Sequence, residues 1–429
     1  MTTSSLQLKP AFQIKSVSAT EKDVNVIWKD GHNSFYHNLW LRDACRCEQC
    51  WQYDTLSVDY GNDPLEIELN PKTERVQIDE RGNLDVIWSG KEQGHHTNFD
   101  ASWLRAHCQE EQDKVHERQL WDASLDIPKL DYPKVVTTDE ELFKWLDALY
   151  QYGVAILEGA PLDGDETSLT AVTDRIGILR DRHHPTNIYT LDTTDEVAKT
   201  IQSSYKLTRV PPHTDYTPYA DSTLTQLLYC LKYESESNGK DGYSTVVDGF
   251  NVAKQFKAQY PEHYKMLTKP SVPTCRRRLR VEEVGGAAIT KYQLDMHRLN
   301  TIIDLDEKEN VRQIRYKHNT RAPFQAPHDQ IEDLYAAYKA FTQFVEDRAY
   351  TKEFLLEPGQ ILSFDNARIL HGRNEIGSFV KRFVIGGYIK AETTRSRWRI
   401  LLGKQSGLSE TWLTGCSDNA LQLLAKRAA

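Results

Sequence analysis

Two histidines and one aspartate set the chemistry open to this chain. The stretch His213-Thr214-Asp215-Tyr216 is answered far downstream by Leu370-His371-Gly372-Arg373. His213, Asp215 and His371 together offer two neutral imidazoles and one carboxylate to a single ion. That donor set suits non-haem Fe(II), since three ligands on one face leave the other coordination positions open to reactants. The His-x-Asp triplet is expected on one strand, where alternation turns both side chains to the same face. Arg382 follows His371 by eleven positions inside the apolar run Arg382-Phe383-Val384-Ile385-Gly386-Gly387-Tyr388. From there its guanidinium can grip a dicarboxylate bidentately, and the combination implies iron with 2-oxoglutarate. A bare His-x-Asp triplet is more often a solvated loop, and a lone arginine a surface ion pair. The distant second histidine and the apolar setting of Arg382 argue against those readings.

Residues so far apart in sequence meet most simply on neighbouring strands at the mouth of a barrel. The elements are consistent with one. Thr223–Leu231 and Ser244–Val247 read as strands separated by the polar loop 234–242, and Ile361–Phe364 as a strand delivering Asp365-Asn366 after the turn Glu357-Pro358-Gly359. Upstream, Thr138-x-x-Glu141 fits a capping box, with Leu142, Trp145, Leu146 and Leu149 on one helical face. Val154–Leu157 reads as a buried strand and Leu169–Ile176 as a short helix. A longer helix spans Asp329–Tyr350, and its stripe Ile331, Leu334, Tyr335, Tyr338, Phe341, Phe344 suits core packing or a dimer contact. The neighbouring His183-His184 pair diverges side chain from side chain and is a poor ligand pair.

The first hundred residues differ in texture. Short alternating strands, Val24–Trp28, Val76–Ile78 and Leu84–Trp88, are punctuated by turns at 29–31 and 80–83. Cys45-Arg46-Cys47-Glu48-Gln49-Cys50 packs three of the seven cysteines into six residues, a spacing better suited to chelation than to structural pairing, though free buried thiols stay open. An odd cysteine count and an N-terminus without a basic-then-apolar pattern argue against a secreted disulfide framework and predict a cytoplasmic protein. Net charge is −9 with acid and base interspersed, so nothing marks a nucleic-acid surface. The longest apolar runs fall short of a membrane span. A small β-rich domain over 1–120, ending near Cys108 in the linker 109–114, and a catalytic domain over 121–429 follow.

Around these residues the chain resembles the γ-butyrobetaine and trimethyllysine dioxygenases of carnitine synthesis, within the wider taurine dioxygenase-like superfamily. The resemblance rests on His213–Tyr216, Val246-Val247-Asp248-Gly249-Phe250-Asn251-Val252, Phe364-Asp365-Asn366 and Ile369–Arg373, and extends over nearly the whole chain. It implies a mainly β protein with flanking helices: a double-stranded β-helix (jelly roll) behind a zinc-binding N-terminal domain. Iron at His213, Asp215 and His371 would work with 2-oxoglutarate held by Arg382 and Ser244, and with O2. Cys45, Cys47, Cys50 and His95 would hold a structural zinc; His95 is placed by Phe99 and Trp103-Leu104, with His96 as the alternative. The family recognises trimethylammonium with an aromatic cage, here Tyr205, Tyr216 and Tyr388. Two positions depart from it: Tyr189 where animal butyrobetaine enzymes have Trp, and Lys317-His318 where the family has an Asn-Asn pair at the substrate's anionic end. The resemblance implies hydroxylation of a small quaternary-ammonium zwitterion, most simply γ-butyrobetaine to carnitine, by a homodimer. Trimethyllysine, a trimethylammonium phosphonate or another amino-acid-like substrate is the alternative. A non-catalytic zinc-bearing interaction protein is disfavoured, because a scaffold needs neither the triad nor Arg382.

Overall fold

A computed structural model of the chain describes residues 8–59, 65, 68–90, 93–108, 118–162, 167–177, 188–193, 207–236, 239–284, 287–377 and 380–428. Tyr205, the His183-His184 pair and the linker 109–114 lie outside the described residues. There are two compact units, one of Met1–Glu117 with Trp398–Ala429 and one of Arg118–Arg397. The last thirty-odd residues thus belong with the first unit, whereas the sequence reading runs one domain to 429.

In the first unit β1 (Ile14–Ala19), β2 (Asp23–Trp28) and β3 (Asn33–His37) form one antiparallel sheet, and β6 (Lys72–Ile78), β7 (Leu84–Ser89) and β8 (His96–Phe99) another. The two-residue strands β4 (Trp51–Gln52) and β5 (Ser57–Val58) pair just after the cysteines. Val24, Val26 and Trp28 alternate inward on β2, the pattern of a sheet with one buried face.

The second unit carries two facing sheets. The larger orders β11 (Tyr189–Asp192), β22 (Lys381–Lys390), β13 (Leu224–Glu234), β20 (Ile361–Asp365), β10 (Val154–Glu158) and β9 (Lys129–Asp131); only the β10–β9 pair is parallel. The smaller orders β12 (Val210–His213), β21 (Ile369–Arg373), β14 (Ser244–Asp248) and β19 (Thr351–Phe354). Side chains from both sheets, among them Ile156, Leu228, Val246, Leu362, Ile369 and Val384, make one core between them, so the unit is a jelly-roll sandwich.

Each sheet's outer face is covered by helix, which is why the central strands are apolar on both faces. Val246 points into the sandwich while Val247 and Leu370 pack outward against the helices Gly249–Gln259 and Ile331–Val345. Leu334, Tyr338 and Phe341 of the aromatic stripe are buried in this core, while Tyr335 stays exposed. Behind the larger sheet lies the helix Asp139–Tyr152, capped by Thr138, whose hydroxyl accepts from the Glu141 N–H at 3.3 Å. Its Trp145 indole donates to Ser363 at 2.8 Å.

Helices thus accompany both sheets, and the architecture mixes helix and sheet. A long antiparallel hairpin, β15 (Val272–Val284) with β16 (Ala287–Asn300), and the short pair β17 (Ile303–Leu305) and β18 (Val311–Ile314) complete the unit.

Candidate active site

His213 and His371 are directly opposed Cα partners across β12 and β21, so cross-strand pairing brings together imidazoles far apart in sequence, with ring centroids 4.4 Å apart. The strands approach closely because position 372 is glycine: a Cβ there would lie 2.5 Å from the Val210 carbonyl oxygen.

Asp215 does not share a strand with His213 as the spacing suggested. β12 ends at His213, and Asp215 sits in the turn beyond it. Tyr216 next to it holds a left-handed φ of +62°, a costly conformation for a bulky residue that surrounding structure must enforce. Asn366 supplies part of that restraint, accepting from the Asp215 N–H at 2.8 Å and donating to its carbonyl at 3.0 Å.

The carboxylate reaches both imidazoles: His213 Nε2 lies 3.6 Å from Oδ1 and His371 Nε2 lies 3.6 Å from Oδ2. One ligand atom from each residue falls within 4.8 Å of the others. His213 Nδ1 is 2.9 Å from the Pro211 carbonyl. A carbonyl only accepts, so Nδ1 carries the proton and Nε2 presents its lone pair, the arrangement expected of a metal-ligating histidine. Burial, aided by the nearby Lys317 and His371, lowers His213 to about 4 and keeps it neutral at pH 7. Burial alone would raise the Asp215 carboxyl, yet the Lys317 ammonium and the two imidazoles beside it hold it well below the usual range. Two imidazole nitrogens and one anionic oxygen, with the tautomer of His213 fixed, fit a divalent ion of the iron type. Among the described residues the buried His371 Nδ1 has no hydrogen-bond partner, unlike Nδ1 of His213.

The strand bearing His371 is anchored at its start. Arg368, wholly buried, grips Asp248 through Nε at 3.0 Å and Nη2 at 2.8 Å, and Nη1 donates to the Gln151 carbonyl at 2.8 Å. This bidentate pair ties β21 to the end of β14.

The triad opens on a cavity of about 890 Å³. Arg382, Ser244, Tyr189, Tyr216, Tyr388, Lys317 and His318, all expected from the sequence as cosubstrate or substrate contacts, line it. The Arg382 side chain is buried, its charged form disfavoured by that burial, and no described residue faces it with a carboxylate. A buried cation bordering a cavity is a ready acceptor of an anion. Arg373 is a second buried cation lining the cavity; burial and Arg382 push it down to about 10, and it donates to the Asn374 and Thr208 carbonyls.

The tyrosine rings form one cluster, Tyr189 stacked on Tyr388 at 5.8 Å and Tyr216 edge-on to Tyr388 at 5.0 Å. Gly386 makes room for Tyr189, since a Cβ there would lie 2.5 Å from its ring. Gln226 donates to the Tyr189 hydroxyl at 2.8 Å. Lys317 Nζ sits 2.5 Å from Asp215 Oδ1, on the metal-ligand candidate rather than free in the cavity. His318 is 3.4 Å from the Tyr338 hydroxyl.

Asn366, Gln226, Arg368 and Arg373 were not singled out from the sequence. Arg373 and Asn366 stand inside the quoted motifs, which was the available signal. Gln226 and Arg368 gave none. Arg276 and Arg277 of the β15–β16 hairpin also line the cavity.

The first unit holds the second donor cluster. His95 Nε2 lies 3.4 Å from Cys45 Sγ and 3.6 Å from Cys47 Sγ and Cys50 Sγ. Zinc bonds of about 2.0–2.3 Å in a tetrahedron give ligand edges of roughly 3.5–3.8 Å, so the spacing fits. His96 is turned away to Asp85. The Cys45–Cys50 hydrogen bond and the Arg42 guanidinium hold Cys50 down at about 5, while the same bond and burial push Cys45 up. Thr97 donates to the Cys45 sulfur at 3.2 Å.

The taurine catabolism dioxygenase TauD, TfdA family matches residues 114–386, and the gamma-butyrobetaine hydroxylase-like N-terminal family matches residues 15–105. Gamma-butyrobetaine dioxygenase of Homo sapiens is 28% identical over 389 residues, covering 88% of this chain and 94% of its own. That of Pseudomonas sp. (strain AK-1) is 29% identical over 398 residues, covering 90% and 96%. Trimethyllysine dioxygenase of Meyerozyma guilliermondii is 25% identical over 411 residues, covering 89% and 94%.

Proposed function

The chain belongs to the taurine catabolism dioxygenase TauD, TfdA family, and from that premise we propose that this Fe(II)- and 2-oxoglutarate-dependent dioxygenase hydroxylates a small quaternary-ammonium zwitterion, most simply γ-butyrobetaine to carnitine. The observation that carries the reading is one cavity bordered at once by the His-Asp-His triad, the buried Arg382 and three packed tyrosines. Iron held there with 2-oxoglutarate and O2 supplies the oxidising power that places a hydroxyl on substrate carbon as the oxo acid is converted to succinate and CO2.

The chain's own residues do the positioning. His213, Asp215 and His371 take the metal. Arg382 grips the far carboxylate of 2-oxoglutarate, with Ser244 beside it. Tyr189, Tyr216 and Tyr388 offer ring faces to a trimethylammonium group, which has no N–H to donate and is attracted by the ring quadrupole. His318 faces the anionic end, while the expected partner Lys317 is engaged by Asp215.

The cations of the lining, Arg276 and Arg277, favour a more highly charged anion as a second reading, such as a trimethylammonium phosphonate. Trimethyllysine remains in the comparison because relatives carry that name. The test is succinate release with Fe(II) and 2-oxoglutarate across γ-butyrobetaine, trimethyllysine, the phosphonate analogue and an uncharged isostere. Coupled turnover confined to the quaternary substrates is expected. Equal turnover of the isostere would sink the cage.

The same reading gives the first unit a structural zinc at Cys45, Cys47, Cys50 and His95, supported by their spacing. It takes the active form as a homodimer in the cytoplasm, with the N-terminal zinc domain over 1–120 and the oxygenase domain beginning at 121. No helix among the described residues is long and apolar enough to cross a membrane. Metal analysis, with one zinc per chain expected, and sedimentation of the purified protein test the zinc and the dimer.

A further inference from the structure

Resting on the assignment of Asp215 as a metal ligand, we infer that Tyr388 is a positioning residue for that ligand as well as a wall of the substrate cavity. Its hydroxyl donates to Asp215 Oδ2 at 2.6 Å, while the Lys317 ammonium donates to Oδ1 at 2.5 Å. An aspartate's last torsion is broad and two-fold, so a carboxylate free to turn presents its oxygens in many orientations. Two donors, one on each oxygen, remove that freedom and leave each oxygen a further lone pair for a metal.

The two donors differ in stiffness. Lys317 ends a flexible stem and keeps 21% of its side chain exposed. Tyr388 is 1% exposed, stands on the interior strand β22, paired on both sides, opposite Gln226 of β13, and is packed by Tyr189 and Tyr216. It is therefore the fixed reference for Asp215, and Lys317 the adjustable one. The same ring borders the cavity, so one side chain bears on both the metal ligand and the substrate's surroundings.

Mn(II) binding to the full-length protein, followed by the free-ion electron paramagnetic resonance signal, separates these roles. Mn(II) prefers oxygen and nitrogen donors and leaves the thiol cluster of the first unit aside. Tyr388→Phe keeps the ring and removes the hydroxyl. It should weaken Mn(II) binding roughly 10–100-fold, the usual cost of losing an outer partner of a metal ligand. With iron saturating, KM for γ-butyrobetaine should stay within about twofold while kcat falls, as for an interaction that does not bind ground-state substrate. Tyr189→Phe, whose hydroxyl meets Gln226 instead, should bind Mn(II) as the parent does.

Parent-like Mn(II) binding by Tyr388→Phe overturns the inference, as does equal weakening in both variants. Should Tyr388→Phe fail to fold, Tyr388→His, which retains an N–H donor, must bind Mn(II) more tightly than Tyr388→Leu; the reverse order overturns the inference. Parent-like binding by His213→Ala would instead remove the triad itself, a different failure from loss of the Tyr388 effect alone.

Discussion

The two donor clusters of this chain use different ligands for different ends. His213, Asp215 and His371 bring three donors to the edge of a cavity whose other residues can take a dicarboxylate and a cation. Cys45, Cys47, Cys50 and His95 bring four, three of them sulfur. Three ligands leave room for reactants, and four tetrahedral ones fill the coordination shell of zinc. The difference teaches where sensitivity lies: the triad can be lost with the fold intact, since it is grafted on a scaffold that packs by itself, whereas a four-ligand zinc site ties its segments together as part of the fold.

The sharpest break comes from His213→Ala. Loss of a ligand should exceed the roughly 10–100-fold penalty of losing an outer-shell partner, so succinate formation should fall beyond detection while the circular-dichroism melt stays near the parent's. Substantial turnover would dissolve the contrast. Cys50→Ser should do the reverse. Structural zinc is worth on the order of 10 kcal/mol to small domains that depend on it, so zinc content and melting temperature should drop together, with activity per folded molecule retained; unchanged melting would make the cluster ordinary buried thiols.

Arg382→Ala probes the cavity side only. Charge-assisted hydrogen bonds contribute about 1.5–3 kcal/mol, which corresponds to a rise of about 10–150-fold in the 2-oxoglutarate requirement, with KM for the betaine little changed. A flat cosubstrate dependence would move that role to Arg373. The smallest effect belongs to His107 of the first unit, stacked on Trp103 at 4.1 Å and lowered by burial. Its folded pKa lies below the unfolded value of 6.5, so under acid the unfolded chain takes up a proton that the folded one refuses, and stability falls as pH drops below the ordinary imidazole range. The melting-temperature advantage of the parent over His107→Phe should therefore shrink between about pH 8 and about pH 5.5. A constant difference would deny His107 that part.

Much of the site was legible because its residues carry unusual chemistry in short motifs. His213, Asp215, His371 and Arg382 needed no neighbours to be noticed, and Ser244, Tyr216 and Tyr388 followed from the family likeness. Helix Asp139–Tyr152 was readable from its cap and its four apolar positions, and β2 and β7 from alternation and turns. The hairpin β15–β16 was not, since its run of arginines and mixed residues lacks a period-2 apolar face. Position 215 was misplaced because alternation holds only while a strand continues, and β12 stops at His213.

Local pattern by itself determined helix Asp139–Tyr152, β2, β7 and the His213, Asp215, His371 and Arg382 candidates, and the family likeness added His95 and Ser244, because ligand identity and hydrophobic period are properties of short stretches. Only the tertiary structure decided that His213 faces His371 across a ladder, that Lys317 and Tyr388 share the two oxygens of Asp215, and that Arg368 locks Asp248 beneath β21. It also turned His95, and not His96, toward the cysteines. Those are choices of register and of approach between segments tens to hundreds of residues apart. They are fixed by the packing of two sheets and the satisfaction of buried polar groups, terms that no local window of sequence contains.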